Sequence, residues 1–371
     1  MLLKIKEVTS KQDLKQFIRF PFGLYKGNTS YVPPLIEFEL STLSREKNPA
    51  FESADAKYWM VKKDNKIVGR IAAIVLDREL ENKQLGRFGW VDFIDDYEVS
   101  TLLFETAKEW VVSKGAKAIH GPLGFTDLDF QGALTDGYDE LATQATIYNH
   151  PYYSGHYKKW GMEIIATWVE MRGSVPNKVP AKITRVANIA NSRFNLKSKR
   201  FKRGKEILKY STEIFELINE TFSELYGYQP LTQKQIDYYV DQYFTFMQIK
   251  YICVVVNEDD EVVGFGICLP SISKALQKAK GRLFPFGFIH ILKAFYFSDH
   301  IDLLLIGIKK EYQRKGAPAI IIDTLGKIFI DNEIEHLTNG PALEENQGVL
   351  KLWREFDLEP KLRRSCFIKK F

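Results

Sequence analysis

The sequence predicts an α/β protein made of two halves with the same order of elements, each a mixed central sheet flanked by helices. Its 371 residues exceed what one compact core usually needs. Apolar runs of strand length alternate with segments of helical spacing. Landmarks also repeat. Val68-Gly69 and Val263-Gly264 each close a hairpin turn, 264 − 69 = 195 positions apart, and Asn149 and Asn346 each open a segment ending at Trp160-Gly161-Met162 and Phe356-Asp357-Leu358, 346 − 149 = 197 positions apart. Two independent offsets that agree this closely point to an internal duplication.

In chain order, residues 2–8 read as a strand, and Ser10 with Asp13 gives a helix-start pattern for the run carrying Leu14, Phe17 and Ile18. After Pro33 and Pro34, apolar runs at 58–63 and 67–76 flank Asp64, Asn65 and Lys66, which predicts a hairpin. A strand at 89–94, a helix at 99–113 with Leu102, Leu103, Ala107 and Trp110 at helical spacing, and a strand at 118–121 follow. The second half repeats this order: helix 207–225, hairpin 251–257 and 262–269 turned by Glu258, Asp259 and Asp260, strand 302–308, and helix 317–330.

Between the halves, Pro176 and Pro180 mark a linker, and Lys197, Lys199, Arg200, Lys202, Arg203 and Lys205 follow it. Their alternation with Leu196 and Phe201 reads either as a solvated edge strand, whose charges deter pairing with another chain, or as a contact for phosphate or nucleic acid. The expected division is 1–173, a linker at 174–194, and 195–371.

Composition narrows the function classes. With 45% hydrophobic and 27% charged residues the chain has the balance of a globular protein rather than a disordered one. A net charge of 52 − 47 = +5 is too small over this length for wholesale nucleic-acid binding. The first eight residues lack the continuous apolar stretch of a secretory signal, and Cys253, Cys268 and Cys366 show neither a disulfide framework nor zinc-ligand spacing. A cytoplasmic protein without a metal is expected. The apolar stretch 284–297 is interrupted by His290 and Lys293 and is too short to span a bilayer, so no transmembrane segment is expected.

The window that carries chemistry is 302–329: the apolar strand Leu303-Leu304-Leu305-Ile306-Gly307-Ile308, the loop Tyr312-Gln313-Arg314-Lys315-Gly316-Ala317-Pro318, then an amphipathic helix. A short basic loop entering a helix makes an anion site. Free N–H groups and the positive end of the helix dipole suit a phosphate, a glycine lets the backbone come close, and Arg314 and Lys315 add charge.

At these residues the chain resembles the GNAT acetyltransferase superfamily, whose loop Q/R-x-x-G-x-G/A follows the fourth strand and holds the pyrophosphate of acyl-CoA. Gln313-x-x-Gly316-x-Pro318 departs from that pattern at its last position, where proline has no N–H to donate. Downstream, Asn346-Gln347-Gly348-Val349-Leu350-Lys351-Leu352-Trp353 looks like the family's second signature, but Trp353 stands where the family often has the tyrosine that protonates the leaving thiolate. An indole N–H is no practical acid, so the usual general acid is removed. The resemblance implies two tandem GNAT folds, with acetyl-CoA or another acyl-CoA held by Ile306, Ile308, Gln313, Arg314, Lys315, Gly316, Ala317, Asn346 and Trp353.

For a general base the sequence offers Asp302 at the start of the strand and Glu344 and Glu345 after the next one. A carboxylate buried beside an amine has its pKa raised and can take the proton; alternatively Asp302 marks where the strand leaves solvent. Cys366 without a neighbouring His reads as packing. In the first half the equivalent loop is Asp95-Asp96-Tyr97-Glu98, whose carboxylates suit a helix start but repel phosphate, so that half is expected not to hold CoA.

The stretch Gly121-Pro122-Leu123-Gly124-Phe125-Thr126-Asp127, with Asn149-His150-Pro151-Tyr152-Tyr153, is similar to a bacterial group of tandem GNAT-like proteins, a resemblance that runs over most of the chain. Thr126, Asp127, Tyr152 and Tyr153 are candidates to line a substrate cleft, or else belong to an ordered structural loop. Residues 272–300 form a basic, aromatic insertion that reads as a lid over an acyl chain, a membrane-surface helix, or an apolar face packed on the other half.

The expected function is transfer of an acyl group from acyl-CoA to a small-molecule or peptide amine by direct attack, the thioester carbonyl held by backbone N–H groups of the 302–308 strand. A non-catalytic GNAT-fold binding protein and a tRNA-dependent aminoacyl transferase are the alternatives.

Overall fold

The computed structural model describes residues 2–201, 203–243, 248–346, 349–350, 353 and 356–371. The strands are β1 Leu3–Glu7, β2 Ala54–Lys63, β3 Lys66–Leu76, β4 Leu85–Phe93, β5 Ala118–Gly121, β6 Ala133–Asp136, β7 Glu163–Ser174, β8 Lys197–Lys199, β9 Ile252–Val256, β10 Val262–Pro270, β11 His300–Ile308, β12 His336–Leu343 and β13 Glu359–Lys370. The contacts divide the chain into two compact units. The first comprises Met1–Val169, Ser273–Ile291 and Lys361–Phe371, the second Glu170–Ile272 and Leu292–Pro360.

In the first unit the sheet runs β1-β2-β3-β4-β5-β13, with β6 also paired to β13. The β2–β3 hairpin closes on Lys63 opposite Lys66, leaving Asp64 and Asn65 at φ 49° and 64°. Positive φ at both central residues makes the tight turn whose twist matches the strands, and Asp and Asn tolerate it. β2 and β3 are apolar on both faces because both are covered. Trp59, Val61, Ile71, Ala73 and Val75 pack with Val99, Leu103, Ala107 and Val111 of helix Tyr97–Ser113. Tyr58, Met60, Ala72 and Ile74 pack with Phe17 and Ile18 of helix Lys11–Leu24. That first helix begins where expected: the Ser10 hydroxyl accepts the Asp13 N–H at 3.1 Å.

In the second unit the order is β12-β11-β10-β9-β8, with β11 parallel to β12 and antiparallel to β10, and β9 antiparallel to both β10 and β8. β8 is a short edge strand whose Lys199 pairs with Asp260 at 2.6 Å, in line with the solvated-edge reading. The helix expected at 207–225 is two, Gly204–Leu208 and Ser211–Phe222. Residues 174–194, expected as a linker, hold the end of β7 and helix Ala181–Phe194. That helix lies against helix Ala317–Asp331, tied by the Thr184 hydroxyl donating to Asp323 at 2.7 Å. Gly266 of β10 allows the same contact on the sheet side, since a Cβ there would stand 2.7 Å from Ile321.

Candidate functional site

The strand, loop and helix predicted at 302–329 are present as β11, the short turn Lys310–Gln313 and helix Ala317–Asp331. Two irregularities shape β11. Along its antiparallel edge, Ile267 faces Leu305 while Cys268 faces Leu303, so Leu304 is an extra residue, a bulge that breaks the alternation of its backbone groups. Along its parallel edge, the ladder with β12 runs from His300 opposite His336 to Leu303 opposite Asn339 and stops there. Both strands continue, β11 to Ile308 and β12 to Leu343. Beyond Leu303 and Asn339 the two share no ladder pairing among the described residues, while Gly340 still lies beside Leu304, a Cβ there falling 3.4 Å from its carbonyl oxygen.

Beyond β11 the chain turns at Lys309, and Gly316 takes φ +87° as the N-cap residue of the long helix. The left-handed region is open to glycine at no steric cost. Lys315 lies over the Tyr312 ring at 4.5 Å, and Arg314 and Gln313 are exposed, the Gln313 amide donating to the Ile308 carbonyl at 3.2 Å. Ala317 is buried under the first turn, and Pro318 sits within that turn, where its missing N–H is one the helix does not use internally. Ile306 and Ile308 pair with Gly266 and Gly264 on β10.

Asp302 does not mark a solvent boundary: it is 2% exposed. Among the described residues neither of its carboxylate oxygens has a hydrogen-bond partner of good geometry, and His300 Nε2 stands 3.5 Å from Oδ1. Burial lifts this carboxyl to about 7, with the Glu170 charge adding to the rise and Ser271 and Arg172 only partly opposing it. Glu344, the other candidate base, is exposed on the turn after β12, and Asn346 is exposed with its carbonyl oxygen 3.4 Å from the Val349 N–H, a helix-start contact. Gln347, Gly348, Lys351 and Leu352 of the same signature lie outside the described residues. Trp353 is 3% exposed and its indole N–H has no partner among the described residues. It lines an apolar cavity of about 40 Å³ together with Leu303, Ile321, Leu325, Phe356 and Leu358.

The equivalent loop of the first unit is occupied by its own carboxylates. Asp96 caps helix Tyr97–Ser113 by accepting the Glu98 N–H at 3.0 Å and pairs with Lys63, while Asp95 contacts His156 Nε2 at 2.9 Å. There β4 and β5 pair only from Leu85 to Arg87, and the Leu123 N–H donates to the Phe88 carbonyl at 2.8 Å just past that point. Backbone therefore closes the edge of β4 beyond its ladder with β5.

Of the four residues proposed for a substrate cleft, Tyr153 lines a cavity. That cavity, about 60 Å³, is enclosed by Tyr25, Tyr31, Glu39, Arg70, Asp92 and Tyr157 among others. Tyr152 instead donates to the Phe93 carbonyl at 2.6 Å. Thr126 and Asp127 belong to a turn closed by Asp129, which accepts the Phe125 and Thr126 N–H groups, and by Gln131, which donates to Asp127. These bonds make an ordered loop of the two residues.

Sequence reasoning missed the network behind Tyr153. Arg70 and Asp92 form a buried ion pair at 2.7 Å, and Tyr25 donates to Asp92 at 2.7 Å and meets the Tyr153 hydroxyl at 2.9 Å. Glu39, held by the Trp90 indole N–H at 2.6 Å, is raised by burial to about 7. The partners lie up to 128 positions apart, so no local spacing signals them.

No family model matches the chain. It is 28% identical over 379 residues to Protein YghO of Escherichia coli (strain K12), covering 98% of this chain and 95% of that one. It is 24% identical over 332 residues to the bacterial ceramide synthase of Caulobacter vibrioides (strain NA1000 / CB15N), covering 84% and 82%. Among solved structures, a tandem GNAT protein from the clavulanic acid biosynthesis pathway superposes over 100% of this chain and 98% of its own, with a TM-score of 0.57 at 11% identity. A GCN5-related glucosamine N-acetyltransferase region in a fungal multi-domain β-N-acetylglucosaminidase covers 99% of this chain and 38% of that larger one, with a TM-score of 0.61 at 15% identity.

Proposed function

On the tandem GNAT fold that this chain carries, we propose that the second unit transfers an acyl group from acyl-CoA to an amine by direct attack. The observation that carries the reading is the parting of β11 from β12 after Leu303 and Asn339, with a glycine-led helix following the opened strand. A thioester arm needs such a gap. Its diphosphate would sit at the N–H groups of the helix start beside Gly316, Ala317, Arg314 and Lys315.

Backbone N–H groups at the Leu304 bulge would donate to the thioester carbonyl oxygen and hold it more strongly as charge develops. The acceptor nitrogen attacks the carbonyl carbon, its proton passes to the Asp302 carboxylate, and the C–N bond forms as the C–S bond breaks. A carboxyl near 7 suits a base working at neutral pH. The sulfur leaves as a thiolate, a tolerable leaving group because thiol pKa values lie near about 8.5, so the loss of an acid at Trp353 slows rather than forbids the reaction. The indole N–H is left to donate a hydrogen bond.

A ceramide is the amide of a fatty acid with a long-chain amino alcohol, so the name of the Caulobacter relative accords with acyl transfer to nitrogen. Dependence on acyl-CoA accords with a cytoplasmic protein. Trp353 favours the non-catalytic alternative, and one experiment separates the two. Calorimetry with acetyl-CoA and palmitoyl-CoA should show binding that Gly316→Glu removes and Asp302→Asn keeps, with product formed on amine acceptors only by the wild type. Binding without turnover on any amine would leave a binding protein, and no binding of either thioester would end the acyl-CoA reading.

A further inference from the structure

The insertion between β10 and β11 displays a face that the acyl-transfer reading does not use. Its first helix, Ser273–Ala279, buries Ala275 and Leu276, and Gln277 donates to the Thr29 and Tyr31 carbonyls at 2.8 and 2.9 Å. Gly281, at φ +66°, accepts the Ile36 N–H at 2.9 Å. These bonds hold the segment in place on the first unit. The second helix, Gly287–Phe297, buries only one stripe, with Ile291 and Phe295 one turn apart.

Its opposite side is apolar too, and open. Phe284, Phe286, Ile289, Leu292, Tyr296 and Phe297 are 49–78% exposed. With Phe288 they make seven of the sixteen exposed large hydrophobic residues among those described, all within fourteen positions. An exposed apolar cluster of this size, broken only by His290 and Lys293, is one that something else covers. The charges say what. Residues 272–300 contain Lys274, Lys278, Lys280, Arg282 and Lys293, all exposed, against one acidic residue, Asp299 at the end. A second copy of the same face would oppose five positive charges with five more, whereas an anionic lipid surface answers both the charge and the aromatic residues, which favour the headgroup boundary. Eleven helical residues are too few to cross a bilayer, so the helix would lie along it.

We propose that the 274–297 segment docks the protein on the surface of a bilayer containing anionic phospholipid. The inference stands without acyl transfer, and its test uses no thioester. The full-length protein is sedimented with vesicles of phosphatidylcholine alone or with one third phosphatidylglycerol. At least tenfold stronger binding to the anionic vesicles, weakened by salt, is expected. Phe284→Ser, Phe286→Ser and Phe297→Ser combined should lower binding to anionic vesicles more than tenfold at unchanged thermal midpoint. Lys274→Gln, Lys278→Gln and Lys280→Gln should lower it roughly fivefold per charge. Absence of binding to either vesicle, or binding that survives the serine substitutions, overturns the proposal. So does a dimer in sedimentation equilibrium that the serine substitutions dissolve while vesicles bind nothing, which would assign the face to a second copy.

Discussion

Gly316 stands so close to Ala190 that a Cβ at position 316 would meet the Ala190 Cβ at 2.8 Å. The glycine that starts the long helix is therefore fixed twice, by φ +87° and by the helix packed behind it. Gly316→Ala should lower stability by about 1–2 kcal/mol from the left-handed backbone, with the contact adding to it. Ala190→Gly in the same chain should relieve the contact but not the backbone strain. Urea unfolding of the three variants measures the split, and full recovery in the double variant would refute the backbone component.

Asp302 gives a pH signature. Its carboxyl rises from 3.8 to about 7 on folding, so between these values the folded chain holds more protons than the unfolded chain, and stability falls as pH rises through that window. Asp302→Asn should therefore be more stable than wild type at pH 8, by at most about 4 kcal/mol, and the gap should close towards pH 4. In the proposed reaction, wild-type kcat/KM should climb with pH to a plateau above about 7, and Asp302→Asn should lose 10²-fold or more. Thermal midpoints across pH and rates with a saturating amine check the two halves separately.

Glu79 titrates with the opposite sign. Burial pushes its carboxyl up, but Arg87, donating at 2.6 Å, and His120 outweigh that and hold it at about 2. A depressed carboxylate stabilises above its unfolded value of 4.5, and that stability is lost as pH falls from 4.5 towards 2. Glu79→Gln removes the carboxylate that pairs with the buried Arg87 and should cost about 3–5 kcal/mol at pH 7, read by denaturant titration.

Pro318 withholds one N–H from the helix start. Pro318→Ala should return it, tightening acyl-CoA by up to about tenfold in calorimetry. The unfolded chain gains freedom, so stability should drop by about 0.5–1 kcal/mol. Unchanged affinity would mean that the amide at 318 does not face phosphate.

Local signals made much of the fold legible. The hairpins, the Ser10 cap and the strand, loop and helix around Gly316 each lie within about thirty residues, where periodicity and turn chemistry decide. Helix Ala181–Phe194 was hidden because Pro176 and Pro180 dominate the reading of its neighbourhood, and its main partner is 130 or so positions away. The bulge at Leu304 and the end of the ladder at Asn339 depend on which strands become neighbours, which no single stretch encodes. The burial of Asp302 is of the same kind: one acidic letter before an apolar run is compatible with a solvent boundary and with a lone carboxyl inside.

β13 enters the first unit from the far end of the sequence, pairing with β5 from Phe367 opposite Gly121 to Lys370 opposite Ala118, and with β6 through Arg364 and Ser365. During synthesis, β5 waits with a bare edge for more than two hundred residues to be translated. The first unit therefore completes its sheet only after residues 170–272 and 292–360 of the second have been made, and until then the β5 edge is open to wrong pairing.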